Sequence, residues 1–169
     1  LPIMEKINVN KSHIEGLILT PTRELAIQIT NEAKKLGQVK GVRILSVYGG
    51  QDVVKQQRKL KNGIDLVIAT PGRLLDHIKR GNIDLGHVNM LVLDEADEMI
   101  NMGFAQDIEL IISKTPKRRQ TMLFSATMPK GLRQLSKKFM KNPEQISIQG
   151  KNVTLDEIEQ MVIETSIED

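Results

Sequence analysis

The sequence predicts an α/β domain built on a mainly parallel sheet with helices on both faces. Short apolar runs, each ending in small or polar residues, alternate along the chain with segments of helical periodicity. One of these runs, Met90–Leu93, is apolar without interruption, as expected for a strand that is buried on both faces. Regular alternation of strands and helices is typical of βαβ units. A chain of 169 residues is long enough for one such domain with a substantial core.

The composition indicates a globular protein with an aliphatic core. Hydrophobic residues make up 40% of the chain and charged residues 27%, but there are only three Phe, one Tyr and no Trp. Base stacking on exposed aromatic side chains is therefore not an expected binding mode. The absence of cysteine excludes disulfides and thiolate metal sites, and it fits a reducing compartment. No apolar run has membrane-spanning length and no secretory signal is present, so we expect a cytoplasmic protein with no membrane partner.

Six apolar runs are predicted as strands, and the first five end in small or polar residues. They cover residues 16–20, 42–48, 65–69, 90–93, 120–125 and 144–148. Helical periodicity predicts helices between them, at about 21–36, 52–60, 71–80, 104–113 and 129–140. Thr22 can cap the first of these helices. Residues 1–7 also have helical spacing but no cap, which suggests the remainder of a longer helix and hence a fragment of a longer chain.

The distribution of charge suggests a boundary near Lys151. Residues 114–141 contain nine Lys or Arg residues and no acid, whereas residues 152–169 contain six acids and no base. The basic stretch is compatible with a polyanionic partner, but a solvated helix face is the favoured interpretation for most of its lysines. We therefore predict a domain over residues 1–150, followed by a linker over residues 151–169 that leads to a further domain.

An acidic cluster follows the uninterrupted strand: Asp94, Glu95, Asp97 and Glu98. Ligands of open α/β sheets bind beyond the carboxyl ends of the strands. Nucleotide hydrolases use carboxylates at this position to hold Mg²⁺ and to steer the attacking water. The alternative is a solvated helix start, because Asp and Glu also favour the first turn of a helix.

Five strand-end motifs occur together in this chain. They are Pro21–Ala26, Gly49-Gly50, Thr70–Arg73, Asp94–Asp97 and Ser125–Thr127. In this order and at these intervals they resemble the first core domain of the DEAD-box ATP-dependent RNA helicases, over nearly the whole chain. The resemblance implies a RecA-like three-layer sandwich of the P-loop NTPase type, truncated at its N-terminus. It also implies ATP and Mg²⁺ as cofactors, and RNA and a second RecA-like domain as partners.

Three carboxylates of the acidic cluster, Asp94, Glu95 and Asp97, have expected roles. Asp94 would hold Mg²⁺ through water, because Mg²⁺ keeps much of its hydration shell, and Glu95 would orient and deprotonate the attacking water. Both would thereby contribute to nucleotide binding. The resemblance assigns Asp97 to a relay with Ser125, Thr127 and the second domain. An alternative for the two hydroxyls is ordinary capping before Pro129.

Three further strand ends are expected to bind RNA. Hydroxyls, Arg side chains and helix N-terminal N–H groups suit phosphate binding, and glycines allow close approach of a sugar-phosphate strand. Such contacts read the backbone and 2′-hydroxyls, so binding would be independent of RNA sequence. The residues concerned are Pro21, Thr22, Arg23, Gly49, Gly50, Thr70, Pro71, Gly72 and Arg73. An alternative role for Arg23 is to brace Glu24.

The 169 residues lack the string Gly-x-x-x-x-Gly-Lys-Ser/Thr that cradles phosphates in P-loop ATPases. The resemblance implies that this loop and an adenine-reading glutamine segment precede Leu1, and that an arginine finger and the second core domain follow Asp169. We therefore expect a parent helicase that couples ATP hydrolysis to RNA clamping and local duplex unwinding, with this fragment inactive alone. The alternative is a non-enzymatic RNA-binding module. The related DEAH group would carry His at position 97, where this chain has Asp97.

Overall fold

The structure is a computed structural model that describes residues 2–9 and 11–147. The predicted linker at 151–169 lies outside these residues. Within them, five parallel strands form one sheet in the order β2-β3-β1-β4-β5. The strands are β1 Gly16–Leu19, β2 Ile44–Val47, β3 Leu66–Ala69, β4 Met90–Leu93 and β5 Gln120–Leu123. The predicted parallel α/β fold is therefore confirmed.

Seven helices accompany the sheet in the part of the chain that the structure describes. They are α1 Pro2–Lys6, α2 Arg23–Gly37, α3 Val53–Lys61, α4 Pro71–Lys79, α5 Ala96–Asn101, α6 Ala105–Ser113 and α7 Lys130–Phe139. The predicted cap of α2 is present, because the Thr22 hydroxyl accepts a hydrogen bond from the Leu25 N–H at 3.3 Å. Pro71 occupies the first position of α4, where its missing N–H costs nothing.

Two elements differ from the sequence-based expectations. The short helix α5 was not predicted as a separate element, because its six residues are too few to establish a helical period beside four acids. The predicted strand at 144–148 was wrong over residues 144–147, which form no strand; Ile148 lies outside the described residues. Ile146 is 85% exposed, so the apolar alternation that suggested the strand buries nothing here. Without a neighbouring strand, an extended segment also lacks partners for its backbone groups.

Alternate residues of the strands pack into two separate hydrophobic cores, one on each face of the sheet. In β4, Leu91 and Leu93 belong to one core, and Met90 and Val92 belong to the other. Side chains of α4, α5, α6 and α7 complete the first core, and side chains of α1 and α2 complete the second. These three layers are the sandwich that the sequence predicted. Within residues 2–9 and 11–147, no helix combines the length and apolar character needed to cross a membrane.

The strands are paired so that all five end at the same level. Leu19 pairs with both Ala69 and Leu93, Ala69 pairs with Val47, and Leu93 pairs with Leu123. The segments that follow the strands therefore emerge side by side along one edge of the sheet. This edge contains every strand-end motif identified in the sequence.

The central position of β4 makes a stability prediction possible. Leu91 is fully buried, so Leu91→Ala should leave a cavity and lower the free energy of unfolding by about 3 kcal/mol. Leu110, which is 49% exposed on α6, provides the matched control, and Leu110→Ala should change stability by less than about 1 kcal/mol. Urea unfolding of the two variants measures both values. Equal losses would contradict the assignment of β4 to the centre of the core.

Candidate functional site

Backbone hydrogen bonds continue past the strands and hold their exits together. The residue after each of four strands donates its N–H to the last carbonyl oxygen of a neighbouring strand. The pairs are Thr20 to Ala69 at 3.0 Å, Thr70 to Val47 at 3.0 Å, Asp94 to Leu19 at 2.9 Å and Phe124 to Leu93 at 2.8 Å. The site residues that follow are thus fixed relative to one another by the ladder of the sheet.

The acidic motif begins with a strained turn. Glu95 has φ 49° and ψ 50°, a left-handed conformation that is uncommon outside glycine and costs of order 1 kcal/mol. Two hydrogen bonds hold this turn: the Glu95 N–H donates to Asp94 Oδ1 at 3.1 Å, and the Ala96 N–H donates to the Phe124 carbonyl oxygen at 3.0 Å. The turn converts β4 directly into α5. As a result Glu95 is exposed while Asp94, one residue earlier, is half-buried.

A cavity of about 360 Å³ lies beside this turn. Its lining residues are Asp94, Glu95, Asp97, Glu98, Phe124, Ser125 and Ala126. The carboxylate oxygens suit Mg²⁺, which prefers oxygen ligands and keeps several waters. Among the described residues, no three His, Asp or Glu side chains converge closely enough to hold a metal ion by themselves.

Asp97 is joined to the segment after β5, as predicted. Its Oδ2 accepts hydrogen bonds from the Thr127 N–H at 2.9 Å and from the Thr127 hydroxyl at 2.7 Å. Burial alone would raise the pKa of Asp97, but the hydrogen bonds from Thr127, together with the nearby Ser125 hydroxyl, outweigh it and lower the pKa to about 2. The Ser125 hydroxyl also donates to the Thr127 carbonyl oxygen. Neither hydroxyl caps α7, whose N-cap is Pro129 without a side-chain hydrogen bond.

We call residues 21–23, 49–50 and 70–73 the candidate RNA loops. They follow β1, β2 and β3, which are consecutive strands of the sheet. Arg23, Gly49, Gly50 and Gly72 are exposed, Thr22, Thr70 and Arg73 are half-buried, and Pro21 and Pro71 are buried. The buried prolines can shape the loops but present little surface to a ligand.

Arg23 packs against the second candidate RNA loop. Its guanidinium lies over the Tyr48 ring, 5.2 Å from the ring centroid. No ion pair joins it to Glu24 within the described part of the chain. Gly50 has φ +80°, and a Cβ there would lie 3.2 Å from Arg23 Nη1. Conformation and space therefore both favour glycine at position 50.

The reasons that favour glycine at position 50 do not apply at Gly49 and Gly72. A Cβ at either position would meet no protein atom within 4 Å, and neither residue has a positive φ. Packing and backbone conformation therefore do not require glycine at these two exposed positions. Close approach of a ligand backbone would require it.

The buried polar residues Gln56 and His77, which were not predicted from the sequence, lie between the second and third candidate RNA loops. Gln56 of α3 is 2% exposed and His77 of α4 is fully buried. Arg73, expected to bind RNA, donates from Nη1 to the Gln51 carbonyl oxygen at 2.9 Å and to Gln56 Oε1 at 3.3 Å. Gln56 lies three residues after Val53 and four before Leu60, on the inward stripe of the helix. A polar residue on the apolar stripe of a helix is the sequence pattern that could have identified Gln56 as a buried polar residue.

A parallel sheet that presents an Asp-Glu pair at the end of a central strand is the arrangement of nucleotide-dependent α/β proteins. The fold and the site together define the class as RecA-like domains. Comparison with known proteins narrows this class. The family model described as DEAD/DEAH box helicase matches residues 1–135, and the chain belongs to that family.

Relatives and solved structures agree with the family assignment. The chain is 51% identical to the DEAD-box ATP-dependent RNA helicase CshA of Geobacillus kaustophilus over 97% of this chain and 35% of that protein. It is 48% identical to CshA of Bacillus subtilis, over 97% of this chain and 33% of the relative. The chain thus spans about a third of the length of these relatives.

Two crystal structures have the same fold. One is a DEAD box protein from Methanococcus jannaschii, with a TM-score of 0.80 and 47% identity over 83% of this chain and 38% of that chain. The other is a hypothetical ATP-dependent RNA helicase from Sulfolobus tokodaii, with a TM-score of 0.76 and 39% identity over 85% of this chain and 41% of that chain. Both likenesses agree with the RecA-like three-layer sandwich.

The hydrogen bonds of Asp97 predict an acid-dependent loss of stability. Because the folded protein lowers the pKa of Asp97 from 3.8 to about 2, this stabilisation is present above pH 3.8 and is lost as the pH falls toward 2. Thr127→Val removes the hydroxyl donor, so the pKa of Asp97 should rise toward 3.8. NMR titration of the Asp97 carboxyl measures the change. Thr115→Val, a buried threonine whose hydroxyl donates to the Ile112 carbonyl oxygen, is the control and should leave that pKa unchanged.

Proposed function

We propose that this chain is part of an ATP-dependent RNA helicase that couples ATP binding and hydrolysis to RNA clamping and local duplex unwinding. The observation that carries the proposal is the division of one sheet edge. The acidic motif follows β4 and is hydrogen bonded to the segment after β5, whereas the candidate RNA loops follow β1, β2 and β3. The similarity to relatives named as DEAD-box ATP-dependent RNA helicases supports the same activity.

In the proposed hydrolysis, the three carboxylates of the acidic motif have separate roles. Asp94 would hold Mg²⁺ through water, and the ion would supply the positive charge that offsets the nucleotide phosphates. Glu95, exposed on its strained turn, orients the attacking water and accepts its proton. Asp97 remains ionised and keeps Thr127 and the segment after β5 in place. This segment then relays the state of the nucleotide site to a second RecA-like domain.

In the proposed RNA complex, the candidate RNA loops contact one strand through its sugar-phosphate backbone. Arg23 and Arg73 supply positive charge, and Gly49 and Gly72 leave space for the strand to approach. Contacts of this kind recognise the backbone and the 2′-hydroxyls and not the base edges, so affinity should not depend on RNA sequence. We propose that the start of α4, at Pro71 and Gly72, bends the bound strand and so separates a short duplex locally.

A second candidate function is RNA binding without enzymatic activity. It is favoured by the presence of all three candidate RNA loops within this chain, whereas no glycine-rich phosphate loop occurs in its 169 residues. Calorimetric titration of the chain alone with Mg²⁺–ATP tests whether it binds nucleotide. We expect no detectable heat for the isolated chain. Saturable binding would contradict our proposal that the chain alone does not hold nucleotide.

The role of Glu95 predicts a specific defect in the full-length protein. Glu95→Gln removes the proton acceptor and should lower kcat for ATP hydrolysis by at least about 100-fold while nucleotide affinity is retained. Glu98→Gln is the matched control, because Glu98 is exposed and lines the same cavity. It should hydrolyse ATP nearly normally. Normal turnover by Glu95→Gln, in a steady-state phosphate-release assay, would rule out the assignment of Glu95.

The role of Arg23 predicts a change in RNA affinity. Arg23→Ala should weaken binding of single-stranded RNA by the full-length protein several-fold, equally for unrelated sequences, and reduce the salt slope of log K by about 1. The control is Arg80→Ala, since Arg80 is exposed at the other end of α4 and pairs with Asp76 at 2.7 Å. Fluorescence anisotropy at several salt concentrations measures both. An unchanged salt slope in Arg23→Ala would place Arg23 outside the RNA contact.

A further inference from the structure

The side-chain amide of Gln56 is fully hydrogen bonded in the interior. Its Nε2 donates to the Tyr48 carbonyl oxygen at 3.0 Å and to Gln51 Oε1 at 3.2 Å. Its Oε1 accepts from Arg73 Nη1 at 3.3 Å and lies 3.0 Å from His77 Nε2. A glutamine amide has two N–H donors and one oxygen with two lone pairs. Both N–H donors and both oxygen lone pairs of Gln56 therefore have partners, although the residue is only 2% exposed.

The chemistry of the neighbours fixes the orientation of this amide. A guanidinium can only donate, so the atom that faces Arg73 must be Oε1, and a carbonyl can only accept, so the atom that faces Tyr48 must be Nε2. His77 must then donate from Nε2 and accept at Nδ1, where Asn82 Nδ2 lies at 3.2 Å. Burial and the charge of Arg73 lower the pKa of His77, which keeps the ring in the neutral form that this arrangement needs.

The network joins the candidate RNA loops to one another. Tyr48 and Gln51 flank Gly49-Gly50, and Arg73 belongs to the loop after β3. Besides its hydrogen bond to Gln56, Arg73 Nη1 donates a second one to the Gln51 carbonyl oxygen at 2.9 Å. The Gln51 side chain donates to the Tyr48 hydroxyl. Arg23 completes the row by stacking on Tyr48. The two residues that flank Gly49-Gly50 and Arg73 are thus held by one network centred on Gln56, and Arg23 contacts this network through the Tyr48 ring.

We propose that Gln56 is a positioning residue for RNA binding, which acts by holding the Gly49-Gly50 turn and Arg73 at a fixed separation. The inference rests on the proposed function and adds a residue that need not touch RNA. Two loops that are fixed in advance can bind neighbouring phosphates of one strand without first losing conformational freedom. Without Gln56, each loop has to be ordered by the RNA itself.

The proposal predicts a loss of RNA affinity in Gln56→Met, which preserves the length of the side chain but forms none of its four hydrogen bonds. The full-length protein should bind fluorescein-labelled single-stranded RNA about tenfold more weakly. Gln57→Met is the matched control, because Gln57 is the neighbouring residue of α3 and lies outside the network, and its affinity should equal that of the wild type. Equal affinity of Gln56→Met and wild-type protein would overturn the proposal.

A double-mutant cycle separates positioning from a general loss of stability. If Gln56 acts by fixing the separation of the turn and Arg73, then Gln56→Met in the Arg73→Ala background should weaken binding by clearly less than the roughly tenfold loss expected in the wild-type background, because only the hold on the Gly49-Gly50 turn remains to be lost. A full additional tenfold loss would show that Gln56 acts elsewhere and would overturn the proposal. Thermal midpoints recorded for each variant identify any unfolding at the assay temperature.

A second variant keeps the test informative if Gln56→Met does not fold. Gln56→Glu retains acceptors for Arg73 and His77 but cannot donate to Tyr48 or Gln51, so the turn at Gly49-Gly50 is released. It should weaken RNA binding, and wild-type affinity in this variant would contradict the proposal. Failure of the wild-type protein to bind RNA would instead overturn the proposed function itself, together with the inference that rests on it.

Discussion

The common level at which the five parallel strands end is the constraint on which the rest of the structure depends. Each strand exit is hydrogen bonded to its neighbour, with Thr20, Thr70, Asp94 and Phe124 donating to the last carbonyl oxygens of adjacent strands. These bonds extend the hydrogen-bond ladder of the sheet by one residue at each of these exits. Motifs that lie up to about 100 residues apart in sequence are therefore placed side by side before any ligand binds. A slip of one residue in any strand would turn its alternate side chains to the wrong core and displace its exit from the row.

The strain at Glu95 is a consequence of this placement. The chain has to leave a buried strand and begin a helix within two residues, Asp94 and Glu95, and the left-handed conformation of Glu95 accomplishes this turn. The hydrogen bond from the Ala96 N–H to the Phe124 carbonyl oxygen holds the turn against the neighbouring exit. The strained conformation of Glu95 is thus stabilised by a hydrogen bond to the neighbouring strand exit, and not by an intrinsic preference of glutamate for the left-handed region. It is also what exposes Glu95 while Asp94 remains half-buried against the sheet.

The sequence predicted most of the fold because strands buried on both faces have a simple pattern. Uninterrupted runs such as Met90–Leu93 and capped helices such as the one that follows Thr22 have local signals, and both were predicted correctly. Residues 144–147 were predicted wrongly, because alternation indicates a strand only where a neighbouring strand is present to pair with it. The contact between Asp97 and Thr127 was predictable from parallel strand exits. The network around Gln56 was not, since a glutamine on an apolar helix stripe shows that something polar is buried but not which partners it meets.

The order of strands also separates two incompatible electrostatic environments. A site that holds Mg²⁺ needs a concentration of carboxylates, and that concentration would repel a polyanionic RNA strand. In this sheet the carboxylates follow β4, whereas Arg23, Gly50 and Arg73 follow β1, β2 and β3. The two environments meet between β1 and β4, which are about 5 Å apart and are joined by the hydrogen bond from the Asp94 N–H to the Leu19 carbonyl oxygen. One backbone hydrogen bond thus joins the Asp94 turn to the end of the strand that leads into the loop carrying Arg23. This bond directly connects the proposed nucleotide side and the proposed RNA side of the edge.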